Sequence, residues 1–282
     1  MKNFVIYIIN KSIGLYSNLY SYVNTTKATK IAYTLFSHPL NGKLTKKNLP
    51  KILQETQTEF FEYEGHLLQS YTWKGNDTVI LLAHGWESNA SRWKKLLPYL
   101  KKSGSTIIAI DAPAHGMSGG KEFNMQKYAA FIDLVAKKFK PKFLIGHSFG
   151  GKACLYYQSV YQNLDLQKIV ILGAPSDLNI IVNSYMATFG LNSKIFKGLQ
   201  DYCLKHLNFK MENFSGQIFA SKIKIKGLIA HDTDDKIVLI EEGKKISSAW
   251  KDSIFIETKG LGHSMHGDEL YQKVSNFLFE AK

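Results

Sequence analysis

Arginine is almost missing from this chain: of its 36 basic residues only Arg92 is one. The planar fork of guanidinium is what reads base edges and phosphates in pairs. A net charge of +13 built on lysine therefore does not by itself imply nucleic acid, and no nucleic-acid partner is expected. Cysteine is equally scarce. Cys154 and Cys203 form no Cys-x-x-Cys pair, which excludes a disulfide framework or a zinc cluster and fits a reducing, cytoplasmic location. Long apolar runs are absent too. The longest near the start, Phe4 to Ile9, falls far short of the roughly 20 residues a bilayer requires, and no small-residue cleavage site follows it. Acidic residues are missing between Met1 and Gln54, where eight lysines stand unopposed. No His-Glu-x-x-His or comparable ligand spacing occurs, and "GHSFGGK" lacks the four-residue interval of a phosphate loop, so no metal and no cofactor is expected.

What is present is a chain long enough for one large core, with 45% hydrophobic residues in 282 and no repeat or low-complexity segment. Residues 1–60 read as a basic helical leader. At helical spacing Val5, Ile8, Ile9, Tyr16, Leu19, Tyr20 and Val23 form one stripe, with Asn10, Lys11, Ser17, Asn18 and Ser21 opposite. The stripe is expected to pack on the core; weak peripheral contact with a membrane is the alternative.

From residue 67 the chain alternates. Strands are expected at 67–73, 78–83, 105–110, 142–146, 168–173, 224–230 and 253–257, several of them unbroken apolar runs. Helical patterns cover 92–103, 125–140, 150–161, 239–250 and 268–280. This rhythm belongs to an α/β fold with a mostly parallel central sheet flanked by helices. The core is expected over 61–175 and 222–282, interrupted at 176–221 by an aromatic-rich helical cap insertion.

Within "KFLIGHSFGGKA" a buried strand runs through Gly-His-Ser-Phe-Gly directly into a helix. Such a turn lifts the Ser148 side chain above the sheet edge and turns the first amides of the helix toward it. A serine hydroxyl needs a base to take its proton and a carboxylate to orient that base. "HDTDDKIV" and "TKGLGHSMHG" supply candidates after two later strands. The order Ser, acid, His, together with "LLAHGWES" and "DAPAHGMSGG", resembles the α/β-hydrolase fold superfamily over residues 60 to 282.

The resemblance implies that Ser148 is a nucleophile, His263 its base and Asp235, three residues before Val238, the orienting acid. Asp232 and Asp234 compete for that last role, and Asp232 stands where the family usually has glycine. The amides of Trp86 and Phe149 would form an oxyanion hole. His115 and His266 are expected to lie outside the relay, with His84 and His147 bracing loops. The expected activity is hydrolysis of a small-molecule carboxylic ester through an acyl-enzyme. Thioesterase, lipase, acyltransferase and C–C bond hydrolase activities, or an inactive binding module, stay open at this point.

Overall fold

The computed structural model describes residues 2–280. Its elements follow in chain order: α1 (Lys2–Val23), α2 (Thr25–Ser37), α3 (Lys51–Gln54), β1 (Gln57–Tyr63), β2 (His66–Trp73), β3 (Asn76–Ala83), α4 (Leu97–Lys101), β4 (Ser105–Ile110), α5 (Met125–Phe139), β5 (Phe143–His147), α6 (Phe149–Tyr161), β6 (Lys168–Leu172), α7 (Leu178–Phe189), α8 (Ser193–His206), α9 (Gly216–Ala220), β7 (Lys226–Asp232), α10 (Ile240–Ala249), β8 (Ser253–Thr258) and α11 (Asp268–Phe279). The chain divides into two compact units, residues 39–176 with 216–282 and residues 1–38 with 177–215.

The larger unit is built on one eight-stranded sheet of order β1-β2-β4-β3-β5-β6-β7-β8. Pairing is parallel from β4 to β8, while β1/β2 and β2/β4 are antiparallel. The central strands are buried on both faces: every residue of β5 is buried, as is Val79–Ala83 of β3. That is why they read as continuous apolar runs rather than alternations. One face packs Trp93, Leu97, Leu100, Leu270, Tyr271 and Val274 into a single cluster with Ile80, Leu82 and Leu228 from the strands. The pattern expected as one helix over 92–103 is split, with a 3-10 turn over Ala90–Lys95 and then α4. Pro98 stands in the first turn of α4, where its missing N–H costs nothing.

The sequence pattern missed β1. Its residues alternate only between exposed and half-buried, so an edge strand leaves little hydrophobic trace. The overlooked signal is Glu64-Gly65: both have positive φ, 48° and 73°, and they join Tyr63 to its partner His66 as a two-residue hairpin loop of mirror-image type.

The stems of the 177–215 insertion leave the larger unit at Ser176, whose polar groups are all engaged there. Its carbonyl accepts from Gly216 N at 2.8 Å and from the fully buried Lys152 Nζ at 2.8 Å. Its amide donates to Glu242 Oε2 and its hydroxyl oxygen accepts from Gln217 N, both at 3.0 Å. A buried lysine is tolerable only when its ammonium is met in this way.

The smaller unit unites sequence-distant segments. Ala28, Ala32 and Tyr33 of α2 share a core with Val182 and Met186 of α7 and Ile195, Leu199 and Cys203 of α8. Residues 1–38 thus belong with the insertion rather than forming a leader of their own through residue 60. The stripe of α1 corrects a second expectation. The face that meets the unit is the small and polar one: Ser17 and Ser21 are 0% exposed, and a Cβ on Gly14 would lie 1.7 Å from Phe189 O. Lys11 Nζ donates to Ala187 O at 2.7 Å, Asn18 Nδ2 to Gly190 O at 2.8 Å and Asn192 N to Asn18 Oδ1 at 2.8 Å. Leu19 is 64% exposed and Val23 82%. Helix–helix contact here runs through close backbone approach and hydrogen bonds, which glycine and serine allow and large apolar side chains would prevent. Among the described residues no helix is long and apolar enough to cross a membrane.

Candidate active site

Ser148 sits between β5 and α6 with φ 53° and ψ −123°, a region that L-residues rarely occupy and that persists only when its surroundings enforce it. Its amide donates to Leu172 O at 2.8 Å and its carbonyl accepts from Lys152 N at 3.1 Å. Strand and helix pass so closely that a Cβ on Gly146 would lie 2.5 Å from Gly151 Cα, and one on Gly150 2.1 Å from Ala83 O. Gly150→Ala is accordingly expected to cost roughly 3 kcal/mol or more, since the clash is with backbone. Urea unfolding of the variant checks this, and a midpoint equal to the parent's would contradict it.

Two loops at the carboxyl ends of β7 and β8 bring the remaining groups to Ser148. His263 Nδ1 lies 2.7 Å from Asp235 Oδ2, and His263 Nε2 lies 3.0 Å from Ser148 Oγ. A carboxylate only accepts, so Nδ1 carries the proton and the Nε2 lone pair faces the serine hydroxyl. Asp235 is 3% exposed. Burial by itself would raise its pKa, but hydrogen bonds from His231, His263 and Val238 N outweigh that and hold the carboxyl well below the usual carboxylate range. Its Oδ1 accepts from Ile237 N at 2.8 Å and Val238 N at 2.9 Å. The sequence matches the family model for the alpha/beta hydrolase fold over residues 78–191. The chain is an α/β-hydrolase-fold protein.

Among its relatives, phospholipase YtpA of Bacillus subtilis is 29% identical over 133 residues, 43% of this chain and 51% of that protein. Protein phosphatase methylesterase 1 of Candida albicans is 24% identical over 55% of this chain and 46% of its own length. The chain thus spans about half the length of these curated relatives. Among solved structures, the bromoperoxidase of Bacillus anthracis superposes with a TM-score of 0.61 at 20% identity, covering 79% of this chain and 99% of that one. Est1E of Butyrivibrio proteoclasticus, solved with ferulic acid, gives 0.62 at 16% identity, covering 79% and 98%. At such identities the likeness is one of fold.

Within this α/β-hydrolase fold the other two aspartates of "HDTDD" do different work. Asp234 is exposed and accepts from Gly260 N at 3.1 Å. Asp232 is fully buried. Its carboxylate takes the amides of Leu261 and Gly262 at 3.0 Å each, and Thr258 Oγ1 at 2.7 Å. The residue that departs from the family's glycine therefore pins the loop just before His263. Two more side chains support this loop: His147, which was expected to brace a loop, and Arg92, which was not foreseen. His147 Nε2 donates to His263 O at 2.7 Å, and Arg92 Nη2 to Ser264 O at 2.9 Å. The lone arginine of the chain thus ties the loop on the far side of His263.

The Gly85 backbone passes over Ser148 so closely that a Cβ there would lie 2.9 Å from Ser148 Cβ. This brings the following residue, Trp86, beside the serine, while Phe149 opens α6 from the other side. Their rings, 6.3 Å apart, form one aromatic group with His115 and Phe123. His84 and His115 serve the loops. His84 Nδ1 donates to Gly85 O at 2.7 Å and its Nε2 accepts from Ala112 N at 2.9 Å. His115 Nε2 accepts from Glu87 N at 3.0 Å. His266 pairs through Nδ1 with the Tyr271 hydroxyl, away from the serine.

Burial holds His115 down to about 4 and His84 and His147 well below the imidazole norm. Each is neutral in the folded protein. In the unfolded chain they take up protons near pH 6.5, so below that value the unfolded state binds more protons and stability falls as pH falls. From His115 alone the loss between pH 6.5 and about 4 amounts to about 3 kcal/mol. Urea unfolding at pH 7, 5.5 and 4.5 is expected to show this decline, and equal stability across the series would refute it.

Proposed function

We propose that the protein is a serine hydrolase that cleaves small carboxylic esters through an acyl-enzyme. The observation carrying this reading is the continuous line Ser148 Oγ, His263 Nε2, His263 Nδ1, Asp235 Oδ2, with separations of 3.0 and 2.7 Å at its two hydrogen bonds. Ser148 Oγ attacks the ester carbonyl while His263 Nε2 takes its proton, and Asp235 stabilises the imidazolium without being protonated. Negative charge grows on the carbonyl oxygen and is met by the amides of Trp86 and Phe149. Collapse of this intermediate passes the proton from Nε2 to the departing alkoxide. A water, deprotonated by the same nitrogen, then attacks the acyl carbon, and Ser148 regains its proton as the acid leaves.

The phospholipase and methylesterase names among the relatives fit this chemistry. The aromatic group around Trp86 and Phe149 favours an apolar acyl or aryl portion. Hydrolysis of p-nitrophenyl esters of graded chain length, with labelling of Ser148 by a fluorophosphonate, tests the proposal. Turnover with labelling is expected; a folded protein that neither turns over any ester of the series nor takes up label would overturn it.

A further inference from the structure

Apart from Tyr20, which is half-buried against the smaller unit's core, the apolar side chains of the α1 stripe face outward, and Leu15 and Tyr22 widen the stripe read from the sequence. Leu15, Tyr16, Leu19, Tyr22 and Val23 are each more than half exposed, and the apolar run Phe4–Ile9 continues them toward the amino terminus. The helix is fixed to its unit by its opposite face through Gly14, Ser17, Asn18 and Ser21. A monomer that only needed to fold would turn these faces the other way, because contiguous apolar surface left in water is costly. The surface has a sign as well as a polarity. No acidic residue occurs before Glu55. An ammonium group sits beside this face, Lys194 Nζ lying 4.9 Å from the centre of the Tyr22 ring.

The geometry points to docking of α1, lying flat, on an anionic lipid surface, and we propose that this stripe is the protein's membrane-contact face. A helix with tyrosines and aliphatic residues on one side, edged by a lysine, gains both from burial among acyl chains and from attraction to anionic headgroups. A second copy fits the same face poorly, since it would bring lysine against lysine with no acid of α1 or α2 to meet them. The apolar length is too short to span a bilayer, so contact is interfacial.

The test uses the full chain and vesicles of phosphatidylcholine with one quarter phosphatidylglycerol, against vesicles of phosphatidylcholine alone. Co-sedimentation is expected with the anionic vesicles at low salt and should weaken at 0.5 M salt, where screening reaches a few ångströms. Leu15→Ser with Leu19→Ser is expected to weaken binding roughly tenfold or more while leaving the melting temperature at the parent value, because both side chains already face water. Lys194→Glu, at an exposed position, should weaken it at low salt and much less at high salt. Any of three results would overturn the proposal: no binding by the parent protein at low salt, undiminished binding by the double variant, or a parent dimer in sedimentation that the double variant dissolves. A fall of several degrees in the double variant's melting temperature would also count against it, since the stripe would then be packed within the fold.

Discussion

Ser148→Ala is expected to reduce ester turnover on the order of a million-fold and to abolish fluorophosphonate labelling, while the protein folds as before. The hydroxyl's hydrogen bond to His263 Nε2 is lost, but the backbone bonds that hold the turn, from Ser148 N to Leu172 O and from Lys152 N to Ser148 O, are untouched. Alanine at φ 53° is no more strained than serine. What remains is attack by water assisted by the amides around the carbonyl oxygen, which is why some rate above the uncatalysed background should persist. Labelling that survives in the variant, or turnover within tenfold of the parent, would remove Ser148 from its proposed role.

Asp235→Asn should cost about 10⁴-fold in kcat. The amide is isosteric, but its NH₂ cannot accept from His263 Nδ1. The imidazole then turns to the tautomer that accepts at Nδ1, and Nε2 presents a proton to the serine instead of a lone pair. Loss of the carboxylate also removes the charge that would stabilise the imidazolium. Asp234→Asn is expected to stay within a few-fold of the parent, because that side chain is exposed and accepts from Gly260 N rather than from the imidazole. Asp232→Asn should act mainly on stability, since its carboxylate binds the loop amides of Leu261 and Gly262 rather than the imidazole. Parallel measurement of kcat and unfolding midpoint for the three variants separates these roles. A crippled Asp234→Asn with a near-normal Asp235→Asn would reverse the proposed assignment.

Much of this architecture is readable from the chain because buried parallel strands are apolar without interruption, and several of the seven strand signals between Leu67 and Glu257 are such runs. Ser148, Asp235 and His263, chosen from motif spacing and chain order, are the three that the fold brings within hydrogen-bonding distance. Other features left no such trace. The edge strand Gln57–Tyr63 is too wet to show a pattern. Arg92 and Asp232 act on the His263 loop through main-chain groups, and a backbone carbonyl or amide carries no side-chain signature. The orientation of α1 defeated pattern reading for another reason. Hydrophobic periodicity identifies the greasy face of a helix but not what that face meets, and here close packing selected glycine and serine for the inside.

The pairing of residues 1–38 with 177–215 also imposes an order on biosynthesis. The first two helices leave the ribosome early, but their core partners on α7 and α8, from Val182 to Cys203, are translated long after. At about 5–20 residues per second the delay is roughly 10–30 s, far longer than a helix needs to form. During that interval the Ala28, Ala32 and Tyr33 side chains have no native surface to cover them, and the apolar stripe of α1 lies exposed beside them. The core of the smaller unit therefore closes only after the strands from β1 to β6 have been synthesised, whatever the order in which the larger unit folds.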